Sequence, residues 1–173
     1  MRRLSLVAVL FAVVSVACGD SDSPTSPSSS PTSARFTVRL LPANEVPPVT
    51  NADASASGTT TITLNLTRDA AGTITAATAD FQTTVTGFPA STTATGGHIH
   101  RAPAGSNAGV LVGQFGSGEF ALTNGAGSLA KNGISVGATD AQGILDNPSG
   151  HYFNFHTTLN PGGAIRGQLS RTQ

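Results

Sequence analysis

The chain has 173 residues, a formal net charge of zero from nine basic and nine acidic side chains, and one cysteine. Sparse, balanced charge offers no basic patch or stripe, which excludes DNA and RNA as partners, and a single cysteine excludes an intrachain disulfide. The absence of tryptophan and the 5% aromatic content argue against a platform for stacking sugars.

Residues 1–17 read as a secretion signal, with Arg2 and Arg3 as its positive start and a 14-residue apolar stretch from Leu4 to Ala17. That stretch is short of the roughly 20 residues a membrane-spanning helix needs. Ser15-Val16-Ala17-Cys18 resembles a bacterial lipobox, with Ser15 where leucine is usual, and makes Cys18 the expected lipidation site. The implied partner is a lipid membrane, reached through an N-terminal acyl anchor. The implied location is the bacterial cell envelope on the extracytoplasmic side, with plain secretion as the alternative. Loss of the leader removes Arg2 and Arg3, so seven basic residues (9 − 2) face nine acidic ones, a net charge of −2.

Residues 19–34 are Ser-, Pro- and Thr-rich with no large apolar side chain, and read as a flexible tether. From Arg35 to the end there are 139 residues (173 − 35 + 1), enough for one domain.

The pattern that follows is β almost throughout. Phe36, Val38 and Leu40 alternate with polar residues, and Ile62, Leu64 and Leu66 do so within 59–68. Residues 73–86, rich in Thr and Ala, predict a long, bulged strand. Short strands are predicted at 98–100 and 110–112. Residues 119–122 and 127–130 flank Asn124-Gly125, a favoured hairpin turn, and Asn132-Gly133 repeats that signal. Residues 138–146 predict the only helical turn, ended by Asn147-Pro148. Strands at 152–158 and 164–169 close the chain. Many short strands with regularly spaced turns predict an all-β, antiparallel, Greek-key-like sandwich or barrel in a single domain.

All four histidines fall on predicted strands or their borders: His98 and His100, and His151 and His156. Residues i and i+2 of a strand share a face, so His98 and His100 project together, roughly 6.5 Å apart along the chain. On the last aromatic strand Tyr152, Asn154 and His156 share one face, with His151, Phe153 and Phe155 on the other. If the phenylalanines enter the core, His98, His100 and His156 can converge, and three imidazoles with an open fourth position suit Zn²⁺ or Cu²⁺. The competing reading has His98 and His100 bonding loop carbonyls and pinning residues 101–109. Serine-hydrolase elbows, the His-Glu-x-x-His metalloprotease motif and a catalytic cysteine are all missing from the sequence.

Asn44-Glu45-Val46-Pro47-Pro48, Gly97-His98-Ile99-His100, Tyr152-Phe153-Asn154-Phe155-His156-Thr157 and Gly162-Gly163-Ala164-Ile165-Arg166-Gly167-Gln168-Leu169 occur in this order. Together they resemble the CHRD domain, named from the developmental regulator chordin and found in many secreted bacterial proteins. The resemblance places that domain at 35–171 and implies an all-β fold and secretion. Ala164 stands where the family more often has Glu, and Phe153 and Phe155 where it prefers Val. A weaker likeness to copper-zinc superoxide dismutase rests on His98, His100, His156 and Arg166. That bimetallic site needs about six histidines and an Asp, and this chain has four histidines.

Glu45 and Arg166 are the charged residues of these blocks. They are expected either to form a partly buried ion pair locking the first strand to the last, or to leave Arg166 free for an anion beside the histidines. The leading functional expectation is a non-enzymatic binding or structural module acting on a protein or envelope ligand. The second is a mononuclear copper or zinc protein with a redox or metal-handling role.

Overall fold

A computed structural model describes residues 32–173. The expected signal segment 1–17, Cys18 and the tether up to residue 31 lie outside the described residues. The first strand, β1 (Ser33–Leu40), already includes Ser33 and Ala34, which the sequence had placed in the tether.

β1 continues into β2 (Ser57–Arg68) and β3 (Ile74–Thr86), all antiparallel. β4 (Ala94–His100), β5 (Val110–Phe115) and β6 (Gly127–Val136) follow. The one α-helix among the described residues, α1 (Ala138–Asp146), then leads to β7 (Tyr152–Thr157), β8 (Ile165–Gln168) and the short β9 (Ser170–Arg171). Two sheets result: a five-stranded one in the order β6-β3-β2-β1-β9 and a four-stranded one in the order β5-β4-β7-β8. The chain passes from one sheet to the other after β3, β5, β6 and β8, so the fold is a sandwich.

The period of two in the sequence becomes the core. Phe36, Val38 and Leu40 of β1, with Ile62 and Leu64 of β2 and Phe81 of β3, face Ile99, Phe153, Phe155 and Ile165 of the smaller sheet, all essentially buried. Phe81 meets Phe153 between the layers, ring centroids 6.2 Å apart, and Phe155 packs against Phe88, Phe115 and Phe120 at 5.1–5.5 Å. Each such buried side chain contributes about 1.5–3 kcal/mol, which is what a disulfide-free domain has to rely on. α1 adds Ala141 and Ile144 to the core. Among the described residues no helix is long and apolar enough to cross a membrane.

Two turn signals part company. Asn124 (φ 49°) and Gly125 (φ 74°) both adopt positive φ and close a tight turn through the Thr123–Ala126 bridge, as Asn-Gly pairs do. The segment 119–122 before that turn is not a strand. Asn132-Gly133, by contrast, lies inside β6 as a bulge: the ladder to β3 jumps from Ala79↔Ile134 to Phe81↔Lys131, so two residues oppose Asp80. The Gly133 N–H donates to Asp80 Oδ1 at 2.8 Å, which satisfies the donor that the bulge takes out of the ladder.

Candidate functional site

With Ile99, Phe153, Phe155 and Ile165 turned inward, their strand neighbours stand on the outer face of the four-stranded sheet. Register fixes the rows: His98 opposes Asn154, which opposes Arg166, and His100 opposes Tyr152, which opposes Gln168. Gly96 opposes His156. Three strands therefore present a patch of polar side chains where a solvated sheet face would ordinarily carry unconnected ones.

The structure brings His98, His100 and His156 together. One ring nitrogen of each lies within 4.8 Å of those of the other two, and the rings of His98 and His156 are 4.9 Å apart, centroid to centroid. Gly96 makes room for this. A Cβ there would sit 2.6 Å from His98 Cε1, so the His98 ring leans back over a residue with no side chain. His151 points elsewhere, its Nδ1 2.9 Å from the Asn147 carbonyl, and takes no part.

Each imidazole has a distinct environment. His100 is buried, with Nδ1 3.0 Å from the Ala108 carbonyl and Nε2 2.9 Å from Asn154 Oδ1. His156 repeats the arrangement, with Nδ1 2.9 Å from the Pro161 carbonyl and Nε2 2.8 Å from the same Asn154 oxygen. His98 Nδ1 is buried and has no hydrogen-bond partner. Burial, reinforced by the neighbouring His156 and His100, pushes the His98 pKa down to about 4. His156 is lowered too, chiefly by burial and against the pull of the Pro161 carbonyl. Both rings are therefore held as neutral imidazoles, the form that ligates metals. A carbonyl on Nδ1 also fixes the tautomer and aims Nε2, the usual outer support of a metal-ligating histidine.

The competing structural reading holds in part. His100 does pin the loop 101–109 through Ala108, but His98 does not. Most of that loop is held by Arg166. Its guanidinium is fully buried, donating from Nη1 to Asn107 Oδ1 at 3.0 Å and from Nη2 to the carbonyls of Ser106 and Pro103 at 2.8 and 3.1 Å. It also lies flat on Tyr152, Cζ 3.4 Å from the ring centroid.

The expected Glu45–Arg166 ion pair does not form. The ion pairs among the described residues are Arg101–Asp140 and Lys131–Glu119. The physical reason is that the Arg166 fork is filled by loop carbonyls and an amide. The segment just after β1 is tied to β8 by backbone instead: Leu41 and Arg166 exchange N–H···O bonds at 3.0 and 3.1 Å, and Asn44 Nδ2 donates to the Arg166 carbonyl. Glu45 is left buried, with Oε1 unpartnered. Burial raises its pKa to about 7, against the opposing attraction of Arg166.

Sequence reading assigned no role to Asn154 or Gly96. Asn154 was on the histidine face by period, and its signal was that position alone. Gly96 carried no signal, because a glycine beside a histidine strand has many ordinary explanations.

The CHRD domain matches residues 36–169, which takes in β2 to β8, most of β1 and all the residues of the outer-face patch. No curated protein matches this chain, and no solved structure does. A match over so much of the chain makes it a member of the CHRD domain family.

Proposed function

We propose that this chain is a binding module displayed in the bacterial cell envelope, anchored by a lipid on Cys18, and that the ligand of its outer face is one divalent copper or zinc ion held by His98, His100 and His156. Membership of the CHRD family supports a binding or structural module. The observation that carries the metal is the shared arrangement of His100 and His156, each with Nδ1 on a backbone carbonyl and Nε2 aimed at one place. His98 joins them already neutral near pH 7, so a metal ion displaces no proton from it. In a tetrahedral site with metal–nitrogen bonds of about 2.0–2.1 Å, donor atoms stand about 3.4 Å apart. Side-chain rotations that close the 4.8 Å spread complete the set. The role is binding and handling of the ion, with redox chemistry open to copper.

Elemental analysis of the full chain, exported and purified without chelating resin, tests this. About one equivalent of copper or zinc is expected, lost in His98→Ala/His100→Ala, with a stability gain of about 2.7 kcal/mol at a hundredfold excess of metal over Kd. A protein that folds normally yet stays unloaded after incubation with both ions overturns the metal reading and leaves a protein or envelope component as the ligand. Cys18→Ser is expected to release the chain from the membrane fraction; a wild-type protein already soluble overturns the anchor.

A further inference from the structure

Several electron-rich atoms meet on the outer face of β4 and β7. A backbone carbonyl only accepts, so the Nδ1 atoms of His100 and His156, facing Ala108 and Pro161, carry protons. In neutral rings both Nε2 atoms are then bare lone pairs. They point at Asn154 Oδ1, at 2.9 and 2.8 Å, and that oxygen is an acceptor as well. An acceptor facing two others at hydrogen-bond distance is repelled by both unless positive charge sits among them. Turning the carboxamide over would let Nδ2 donate to both imidazoles and set Oδ1 3.5 Å from the Gly162 carbonyl, a much weaker opposition. The orientation with Oδ1 between the imidazoles is the one that a cation held there would select.

We infer that Asn154 Oδ1 is the fourth ligand of the ion, which makes the site three imidazoles and one amide oxygen; this rests on the metal reading above. Asn154 is buried in the middle of β7 and paired in register with His98 on one side and Arg166 on the other, so its side chain stands between the converging histidines. Behind it lies the Glu45 carboxyl: a Cβ on Gly163 would sit 2.6 Å from Asn154 Nδ2 and 2.5 Å from Glu45 Oε1. The donor set decides the class of ion. Imidazole nitrogens with a hard, uncharged oxygen suit Zn²⁺ or Cu²⁺, whereas Cu⁺ favours the thiolate and thioether ligands that this face lacks.

The test uses Co²⁺ as the spectroscopic probe on the full chain, with Zn²⁺ competition for affinity. The wild type is expected to take up one equivalent of Co²⁺ with the intense visible bands of a four-coordinate ion. Asn154→Asp keeps an oxygen donor and adds charge, so it should move those bands and tighten binding at least tenfold. Asn154→Ala should move them and weaken binding at least tenfold; if that variant fails to fold, Asn154→Asp, close in shape to the wild type, carries the test. Identical bands in wild type and Asn154→Asp, with uptake still abolished by His98→Ala, place Asn154 outside the coordination shell and overturn this inference alone. No uptake of Co²⁺, Zn²⁺ or Cu²⁺ by folded wild type overturns the metal reading with it.

Discussion

The imidazole of His100 lies flat against the phenol ring of Tyr152, centroids 4.6 Å apart and planes 10° from parallel. Tyr152 stands on the strand between β4 and β8, and the Arg166 guanidinium also packs on it. One aromatic plate therefore orients a candidate ligand and anchors a buried cation. Replacing it by Leu loses a cation–π contact and a ring stack, each worth about 0.5–2 kcal/mol. Tyr152→Leu is expected to destabilise by about 2–3 kcal/mol in urea unfolding. Tyr152→Phe should cost about 1 kcal/mol, since it removes only the hydroxyl that accepts from the Ala108 N–H.

Arg166 holds residues 103–107 from below, and a lysine cannot reproduce its planar fork. Arg166→Lys is expected to cost about 3 kcal/mol or more, because a buried charge loses most of its acceptors. The loss should be local as well as global. Amide hydrogen exchange at 103–108 should rise beyond that of β1 and β2, and equal protection throughout would show that the loop is held by other contacts.

The layered fold was legible because alternation is a local signal: Phe36, Val38, Leu40 and Ile62, Leu64, Leu66 show their buried face within a few residues. The shared face of Tyr152, Asn154 and His156 followed from the same period, and the helix 138–146 was bounded by its own stop signal. What was hidden depends on partners distant in the chain. Asn132-Gly133 has the same chemistry as Asn124-Gly125, and only Asp80 across the ladder makes it a bulge. Glu45 and Arg166 are opposite charges in the first and last family blocks, but loop carbonyls, which leave no trace in side-chain identity, claim the guanidinium.

His98 and Glu45 set opposing pH dependences. His98 falls from an ordinary 6.5 to about 4. Between those values the unfolded chain holds a proton that the folded one lacks, so this contribution to stability is lost as pH falls through the window. Glu45 rises from 4.5 to about 7. There the folded chain holds the extra proton, and its contribution is lost as pH rises through that window. Each is worth at most about 3–4 kcal/mol, and they offset one another where the windows overlap. Glu45→Gln is expected to leave stability climbing from pH 4.5 to 6.5, and His98→Ala to leave it falling as the pH approaches 7. Urea midpoints across this range decide it, and matching pH profiles for the two variants would refute the assignment.

Gly162 and Gly163 differ sharply although adjacent. A Cβ on Gly162 meets nothing within 4 Å, whereas Gly163 has φ +131° and two buried polar atoms where a Cβ would go. Gly163→Ala is expected to destabilise by about 2 kcal/mol or more, and Gly162→Ala to change stability by less than about 0.5 kcal/mol. Equal costs would mean that the turn tolerates rearrangement and that Glu45 and Asn154 are not held by it.

Gly96 separates site from fold. A methyl there collides with His98 Cε1 at 2.6 Å and Nε2 at 3.0 Å, the half-exposed ring of a movable side chain and no backbone atom. His98 can swing outward, and alanine in a strand is otherwise worth about 0.5–1 kcal/mol over glycine. The metal-free Gly96→Ala protein should therefore melt within a few degrees of wild type, while Zn²⁺ affinity falls at least tenfold because one imidazole has left the cluster. The same substitution made in His98→Ala should change Zn²⁺ binding no further, as the ring it displaces is already gone. A Gly96→Ala protein that keeps wild-type affinity would show that His98 can ligate from outside its present position, and that the glycine serves only the strand.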